Sequence, residues 1–240
     1  MSIILGINKD HSDSSACLLI NGELVGAVAE ERLGKRIKHD SSFPVNSIKW
    51  LIKSNNLKYS DINHIAVSND PMSNFIPKML HSFDFSSFNF FKKIKNKFYD
   101  RSSIKKKIVN LCKDTGEDVN NLRFKIINVE HHLTHIASAF YLSKFKDKTA
   151  AFTYDGSGDA VSITLAECHD NKIKILERVF LPKSLGHFYS AICNYIGFKN
   201  FGEEYKVMGL SAYGKDRYLE YFNELIGYDK KKNIKARKNI

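Results

Sequence analysis

The sequence predicts an α/β protein that uses one strand plan twice, on three observations. The segment IILGINKDHSDSSACLLINGELVGAVAEER (3–32) runs as strand, polar loop, strand, turn, strand, and AAFTYDGSGDAVSITLAECHDNKIKILERVF (150–180) repeats that order. Between them lies a stretch whose apolar residues recur at helical spacing. Two further short apolar runs, INHIAVSND (62–70) and FKIINV (124–129), read as additional strands.

In chain order, residues 3–7 read as a buried strand and 16–20 as its hairpin partner. The dipeptide Asn21-Gly22, a pair suited to left-handed backbone, turns the chain into a third strand over 24–29. In SSFPVNSIKWLIKSNNL (41–57), Val45, Ile48 and Ile52 share one face of a helix, with Ser42 as the predicted N-cap and Pro44 near the first turn. Residues 71–122 lose periodicity and become rich in Phe, Lys and Ser, which predicts a basic insertion or covering lobe. The second copy places strands at 151–154, 161–166 and 173–179, with a polar loop Asp155-Gly156-Ser157-Gly158-Asp159 after the first of them. The resulting division is a first half over 1–148 carrying the insertion, the start of a second half over 149–228, and a basic tail over 229–240.

Composition narrows the function classes. With 43% hydrophobic and 26% charged residues the chain has the make-up of a globular protein. It has no uninterrupted apolar run of about 18 residues, which argues against a membrane span. The start, MSIILGINKDH, has neither a cationic segment nor a small-residue cleavage site, so a cytoplasmic protein without a secretory signal is expected. Cys17, Cys112, Cys168 and Cys193 are scattered and read as reduced thiols. The net charge of +11 predicts anionic substrates or partners. Much of it sits in KKIKNKFYDRSSIKKK (92–107) and KKKNIKARKNI (230–240), which read as solvated basic faces in preference to a nucleic-acid surface.

The chemistry-bearing residues cluster in few places. VEHHLTHIASAF (129–140) puts His131 and His135 one helical turn apart, a spacing that lets two imidazoles reach one metal; His132 points elsewhere. The pair alone fits a solvent-facing helix start equally well. Asp155 stands at a strand's C-terminal end, where α/β sheets place ligands, and could complete a two-His, one-Asp set for Fe(II), Zn, Mn or Co. The duplicated hairpin loops could cradle phosphate from two sides, as in the fold of actin, sugar kinases and the heat-shock ATPases. His11, in the first loop beside Asp13, Ser14 and Ser15, is the candidate general base. In FGEEYKVMGLSAYG (201–214), read as a loop, Lys206 could neutralise a phosphate and Gly209 could admit a ligand close to the backbone.

Five ordered segments, GINKDHSDSSA (6–16), EER (30–32), EHHLTHIASAF (130–140), DGSGD (155–159) and GEEYKVMGLSAYG (202–214), resemble the O-carbamoyltransferases of the nodulation and antibiotic-tailoring type. The resemblance implies an actin-like, ribonuclease H-like duplicated fold and transfer of a carbamoyl group from carbamoyl adenylate, made from carbamoyl phosphate and ATP, to a small-molecule hydroxyl. It implies that His131, His135 and Asp155 hold a divalent metal, foremost Fe(II), and that His11 deprotonates the acceptor. Residues 155–159 and 202–209, including Glu204, Lys206 and Gly209, would hold the nucleotide. Members of that family are longer and carry a further metal-binding Asp, which none of Asp216, Glu220, Glu224 and Asp229 matches. The expectation is therefore an N-terminal portion that needs further chain or a second chain. The alternatives are threonylcarbamoyl transfer to tRNA and a non-catalytic nucleotide- or metal-binding module.

Overall fold

Apolar side chains at every second position make the first strand, β1 (Ile3–Asn8), bury Ile3, Leu5 and Ile7 on one face. The computed structural model describes residues 1–9, 13–34, 39–83, 88–145, 147–200, 202–228 and 234–236, and it divides into two units, Met1–Ser143 and Lys144–Ile240. In the first unit β2 (Ser15–Ile20) runs antiparallel to β1 and buries Ala16 and Leu18. Asn21 and Gly22 take φ of 51° and 88°, the left-handed pair the tight turn needs, and the chain returns as β3 (Glu23–Ala29). Two parallel strands follow on the other side of β1, namely β4 (His64–Val67) and β5 (Lys125–Asn128). The five-stranded order β3-β2-β1-β4-β5, antiparallel and then parallel, is the ribonuclease H-like sheet of one actin-like half. The predicted fold class is present in this unit.

Helices cover the sheet where the chain must cross between parallel strands. A short α1 (Glu30–Leu33) leads to α2 (Val45–Ser54), which buries Ile48, Leu51 and Ile52. Each such burial contributes about 1.5–3 kcal/mol. The start of α2 corrects the expected Ser42 cap. Pro44 occupies the N-cap position and offers no side-chain bond, and the buried carboxylate of Glu30 takes over. The amides of Asn46 and Ser47 donate to Glu30 Oε1 and Oε2 at 3.0 and 2.8 Å, and Asn46 Nδ2 and Ser47 Oγ add bonds of 2.7 and 2.8 Å. An anion at that helix end is favoured by the helix dipole as well as by its hydrogen bonds.

The stretch 71–122 is also different from its expectation. It forms α3 (Phe75–Phe83) and α4 (Phe88–Asp114), and the end of α4 is part of the core. Ile104, Ile108, Leu111 and Cys112 recur at helical spacing and pack with Ile48, Leu51 and Ile65. Lys105, Lys106 and Lys107 fill the positions between Ile104 and Ile108, which hides the periodicity; Lys107 lies over the Phe43 ring, 4.4 Å from its centroid. The first unit ends with α5 (His131–Phe140), capped by the Glu130 carboxylate accepting from the Leu133 amide at 2.9 Å.

The second unit opens with an antiparallel sheet of three strands, β6 (Thr149–Gly158), β7 (Val161–His169) and β8 (Lys172–Phe180), in that order. Here the expected loop 155–159 is corrected. Asp155 to Gly158 continue the strand, Gly158 pairs with Val161, and the turn is Asp159-Ala160 with φ of 51° and 67°. The ladder is irregular between Tyr154 and Gly158, so the strand bulges there. Helices α6 (Leu185–Tyr195), α7 (Glu204–Ser211) and α8 (Leu219–Leu225) follow, then a short hairpin of β9 (Ile226–Tyr228) and β10 (Ile234–Ala236). The expected loop 201–214 is thus mostly α7. Its Glu, Lys, Met and Leu favour helix strongly enough to outweigh a single internal glycine, which costs about 1 kcal/mol. Of the basic tail, residues 229–233 and 237–240 lie outside the described residues. Among the described residues no helix is long and apolar enough to cross a membrane. All four cysteines are free thiols, and burial pushes those of Cys112, Cys168 and Cys193 above the ordinary range.

Candidate functional site

Parallel pairing sets the ends of β1, β4 and β5 side by side. Ile7 is in register with Val67, and Val67 with Asn128, so Asn8, Ser68 and Asn128 gather at the carboxyl edge of the sheet. Helix α5 begins three residues beyond β5, which puts its first turn beside that edge. His132, Ile136 and Phe140 form its buried face. His131 and His135 occupy the adjacent face, half-buried and exposed respectively, with their Nε2 atoms 3.0 Å apart.

The tautomer of His131 follows from its neighbour. Its Nδ1 lies 3.2 Å from the Ser68 carbonyl oxygen, which can only accept, so Nδ1 carries the proton and Nε2 is the basic nitrogen. That is the arrangement of a metal-binding imidazole oriented by a backbone carbonyl. Ser68 is itself held: its hydroxyl donates to Asn8 Oδ1 at 2.8 Å and its amide to the Ile7 carbonyl at 3.2 Å. Asn8 Nδ2 donates in turn to the Asp13 carbonyl at 3.3 Å, and the Asp13 carboxylate meets His39 Nδ1 at 2.9 Å. His11 lies outside the described residues.

In the second unit the bulged end of β6 meets the start of α6. Asp155 bends back so that its Oδ1 accepts from the Gly156 amide at 2.6 Å. Ser184 caps α6, accepting from the His187 amide at 3.1 Å while its hydroxyl donates to the Gly156 carbonyl at 2.6 Å. The contact is backbone to backbone. A Cβ on Gly186 would fall 2.8 Å from the Gly156 Cα and 2.9 Å from the Asp155 carbonyl oxygen, so only glycine fits. This places the His187 ring over Gly156, with Nε2 3.4 Å from Ser157 Oγ.

Residues 203–209 are placed differently from a phosphate loop. Glu204 accepts from the Ser190 hydroxyl at 2.7 Å and so ties α7 to α6. Lys206 donates to Glu203 at 2.6 Å; with two bonds from Asn200 this holds the Glu203 carboxyl down at about 2 and pushes the Lys206 ammonium up. A Cβ on Gly209 would meet nothing within 4 Å, so no close backbone approach explains that glycine within the unit.

Several residues of this arrangement were not singled out by spacing. Ser68 contributes a carbonyl, which any residue type supplies, and so leaves no trace in sequence. Ser184, Gly186 and His187 carry a weak signal, a Ser-x-Gly-His run at a helix start after a proline. Glu30, within EER, is read as structural by its bonds to α2.

Comparison with known proteins adds a family. The family model described as "Carbamoyltransferase N-terminus" matches residues 3–239. The chain is similar to "Uncharacterized protein sll1178" of Synechocystis, with 33% identity over 92% of this chain and 36% of that one. It is similar to "Nodulation protein NolNO" of Sinorhizobium fredii, with 33% identity over 89% of this chain and 30% of that one. The chain therefore spans about a third of the length of these curated relatives. Among solved structures, YeaZ from Pseudomonas aeruginosa aligns with 13% identity and a TM-score of 0.41 over 76% of this chain and 68% of that one.

Proposed function

The chain belongs to the carbamoyltransferase N-terminus family, and from that premise we propose that it is the acceptor-side portion of an enzyme passing a carbamoyl group from carbamoyl adenylate to a small-molecule hydroxyl. The observation that carries this reading is the His131–His135 pair, whose Nε2 atoms stand 3.0 Å apart beside the carboxyl edge of a mixed sheet. With Asp155 they are the residues that would hold a divalent cation, foremost Fe(II); a set of two imidazoles and a carboxylate suits such a metal. When bound, the cation supplies Lewis-acid polarisation of the carbamoyl carbonyl.

The remaining roles belong to the chain's own groups. His11 takes the proton of the acceptor hydroxyl, whose oxygen forms the new bond to the carbamoyl carbon. The bond from that carbon to the adenylate phosphate oxygen breaks, and AMP leaves with the electron pair. Residues 155–159 form the segment that would receive the phosphate, and Lys206, which the Glu203 carboxyl holds, would supply a positive charge. Glu204 and Gly209 belong to this reading through α7, Glu204 by fixing that helix to α6. The adenylate itself, made from carbamoyl phosphate and ATP, comes from further chain or from a second chain.

The test is transfer of labelled carbamoyl from synthetic carbamoyl adenylate to a panel of polyhydroxyl acceptors, in the presence of Fe(II). Labelled product that disappears in His135→Ala supports the reading. Absence of product for every acceptor, with the chain alone and with candidate partner chains, overturns it. Salt-sensitive binding of tRNA would instead favour the threonylcarbamoyl alternative, for which the net charge of +11 is the motivating observation. Metal and ATP binding without turnover would favour a non-catalytic module.

A further inference from the structure

We infer that Asn8 is a positioning residue for the His131–His135 pair, acting through Ser68; the inference rests on the metal-holding role given to those histidines above. Three bonds carry it. Asn8 Oδ1 accepts from Ser68 Oγ at 2.8 Å, the Ser68 carbonyl accepts from His131 Nδ1 at 3.2 Å, and His131 Nε2 faces His135 Nε2 at 3.0 Å. The register of β1 and β4 brings Asn8 and Ser68 level, so their contact follows from the pairing of Ile7 with Val67.

The chemistry asks for an amide at position 8. Ser68 is the residue after β4 has ended, and the direction of its carbonyl decides which nitrogen of His131 is protonated. A hydroxyl tied to Asn8 fixes the Ser68 side chain, and the bond from the Ser68 amide to the Ile7 carbonyl fixes its backbone. Both ends of the Asn8 amide are engaged, since Nδ2 donates to the Asp13 carbonyl at 3.3 Å. Asn8 thereby links the residues after the first loop to the imidazole pair. An aspartate would keep the Ser68 bond and lose the donor to Asp13; alanine would lose both.

Removing a group bonded directly to a ligating imidazole lowers metal affinity by about 10- to 100-fold, and loss of Asn8, one bond further out, is expected at or below the low end of that range. The experiment measures two quantities on the purified chain: Co(II) affinity by optical titration, and the tautomer of His131 by nitrogen NMR of metal-free protein. The expected result is Nδ1-protonated His131 in the parent chain, with that preference and Co(II) affinity both reduced in Asn8→Ala. Ser68→Ala should produce the same loss, the double variant no more than either single, and Ser68→Thr near-parent behaviour. Unchanged tautomer and affinity in Asn8→Ala overturn the inference, as do additive losses in the double variant. If the parent chain binds no Co(II) while the His131 tautomer still shifts in Asn8→Ala, the metal reading fails and the positioning role stands. Should Asn8→Ala fail to fold, Asn8→Leu and Ser68→Ala carry the same two measurements, while Asn8→Asp, which keeps the acceptor for Ser68, should stay near the parent.

Discussion

The strand triplets β1-β2-β3 and β6-β7-β8 follow one plan and end in different situations. In the first, β1 is paired on both sides, by β2 and by β4, and alternates cleanly between buried and half-buried residues. In the second, β6 pairs with β7, and among the described residues no strand pairs with its other edge. Its Phe152 and Tyr154 are 64% and 51% exposed. The hairpins are local and are written into each segment, whereas the burial of a strand depends on what remote parts of the chain bring to it. The strand ends differ too. At β1 the ladder stays regular to Asn8, which then bonds across to Ser68; at β6 it bulges after Tyr154 and exposes the backbone of a glycine-rich run to α6.

The largest expected effect that would break this comparison is in the first core. Ile65→Ala should destabilise the first unit by about 2–5 kcal/mol, read by urea denaturation, and Phe152→Ser should change stability by less than about 0.5 kcal/mol. Equal losses would mean that the two sheets are buried alike. Next, Glu30→Ala strips four hydrogen bonds from the start of α2 and should cost about 1–3 kcal/mol, with hydrogen exchange accelerated first in residues 45–48. Gly186→Ala pushes a methyl into the backbone of Gly156 and should cost about 1–3 kcal/mol, with chemical-shift changes centred on residues 155–158.

The smallest effect is electrostatic. The Glu203 carboxyl is held at about 2, first by its bond from Lys206 and then by Asn200, below its ordinary 4.5. A depressed carboxyl contributes stability above about 4.5 that is lost as pH falls toward about 2. The raised Lys206 contributes in the opposite sense, its share being lost as pH rises through its folded value above 10.5. Lys206 is exposed and Glu203 partly buried at the surface, and the readout is NMR titration: Glu203 should titrate near 2 in the parent chain and move up in Lys206→Met.

Much of this was legible in the residues themselves. The Asn21-Gly22 turn, the apolar alternation of β1 and the helix start at His131 all express local preferences that the tertiary structure keeps. The core role of α4 was not, because its apolar stripe of Ile104, Ile108, Leu111 and Cys112 is interleaved with lysines and continues from a polar stretch. The strand at Asp155 to Gly158 was hidden because glycine and serine read as loop until a partner strand pairs with them. Of the site, the His131 and His135 spacing was visible, but their support by Ser68 and Asn8 is a product of parallel register across sixty residues of sequence separation.

The mutual contact of Gly156 and Gly186 has a consequence for engineering. At Gly186 an added Cβ meets only the backbone of Asp155 and Gly156, so trimming a neighbouring side chain cannot restore the fit, whereas at Gly156 it meets the His187 ring at 3.2 Å, which a smaller residue at 187 relieves. In a saturation library covering 150–190, Gly186 should tolerate almost nothing while exposed neighbours such as Lys183 vary freely, and an enlarged Gly156 should be rescued by smaller residues at 187, a local swap that Gly186 does not admit.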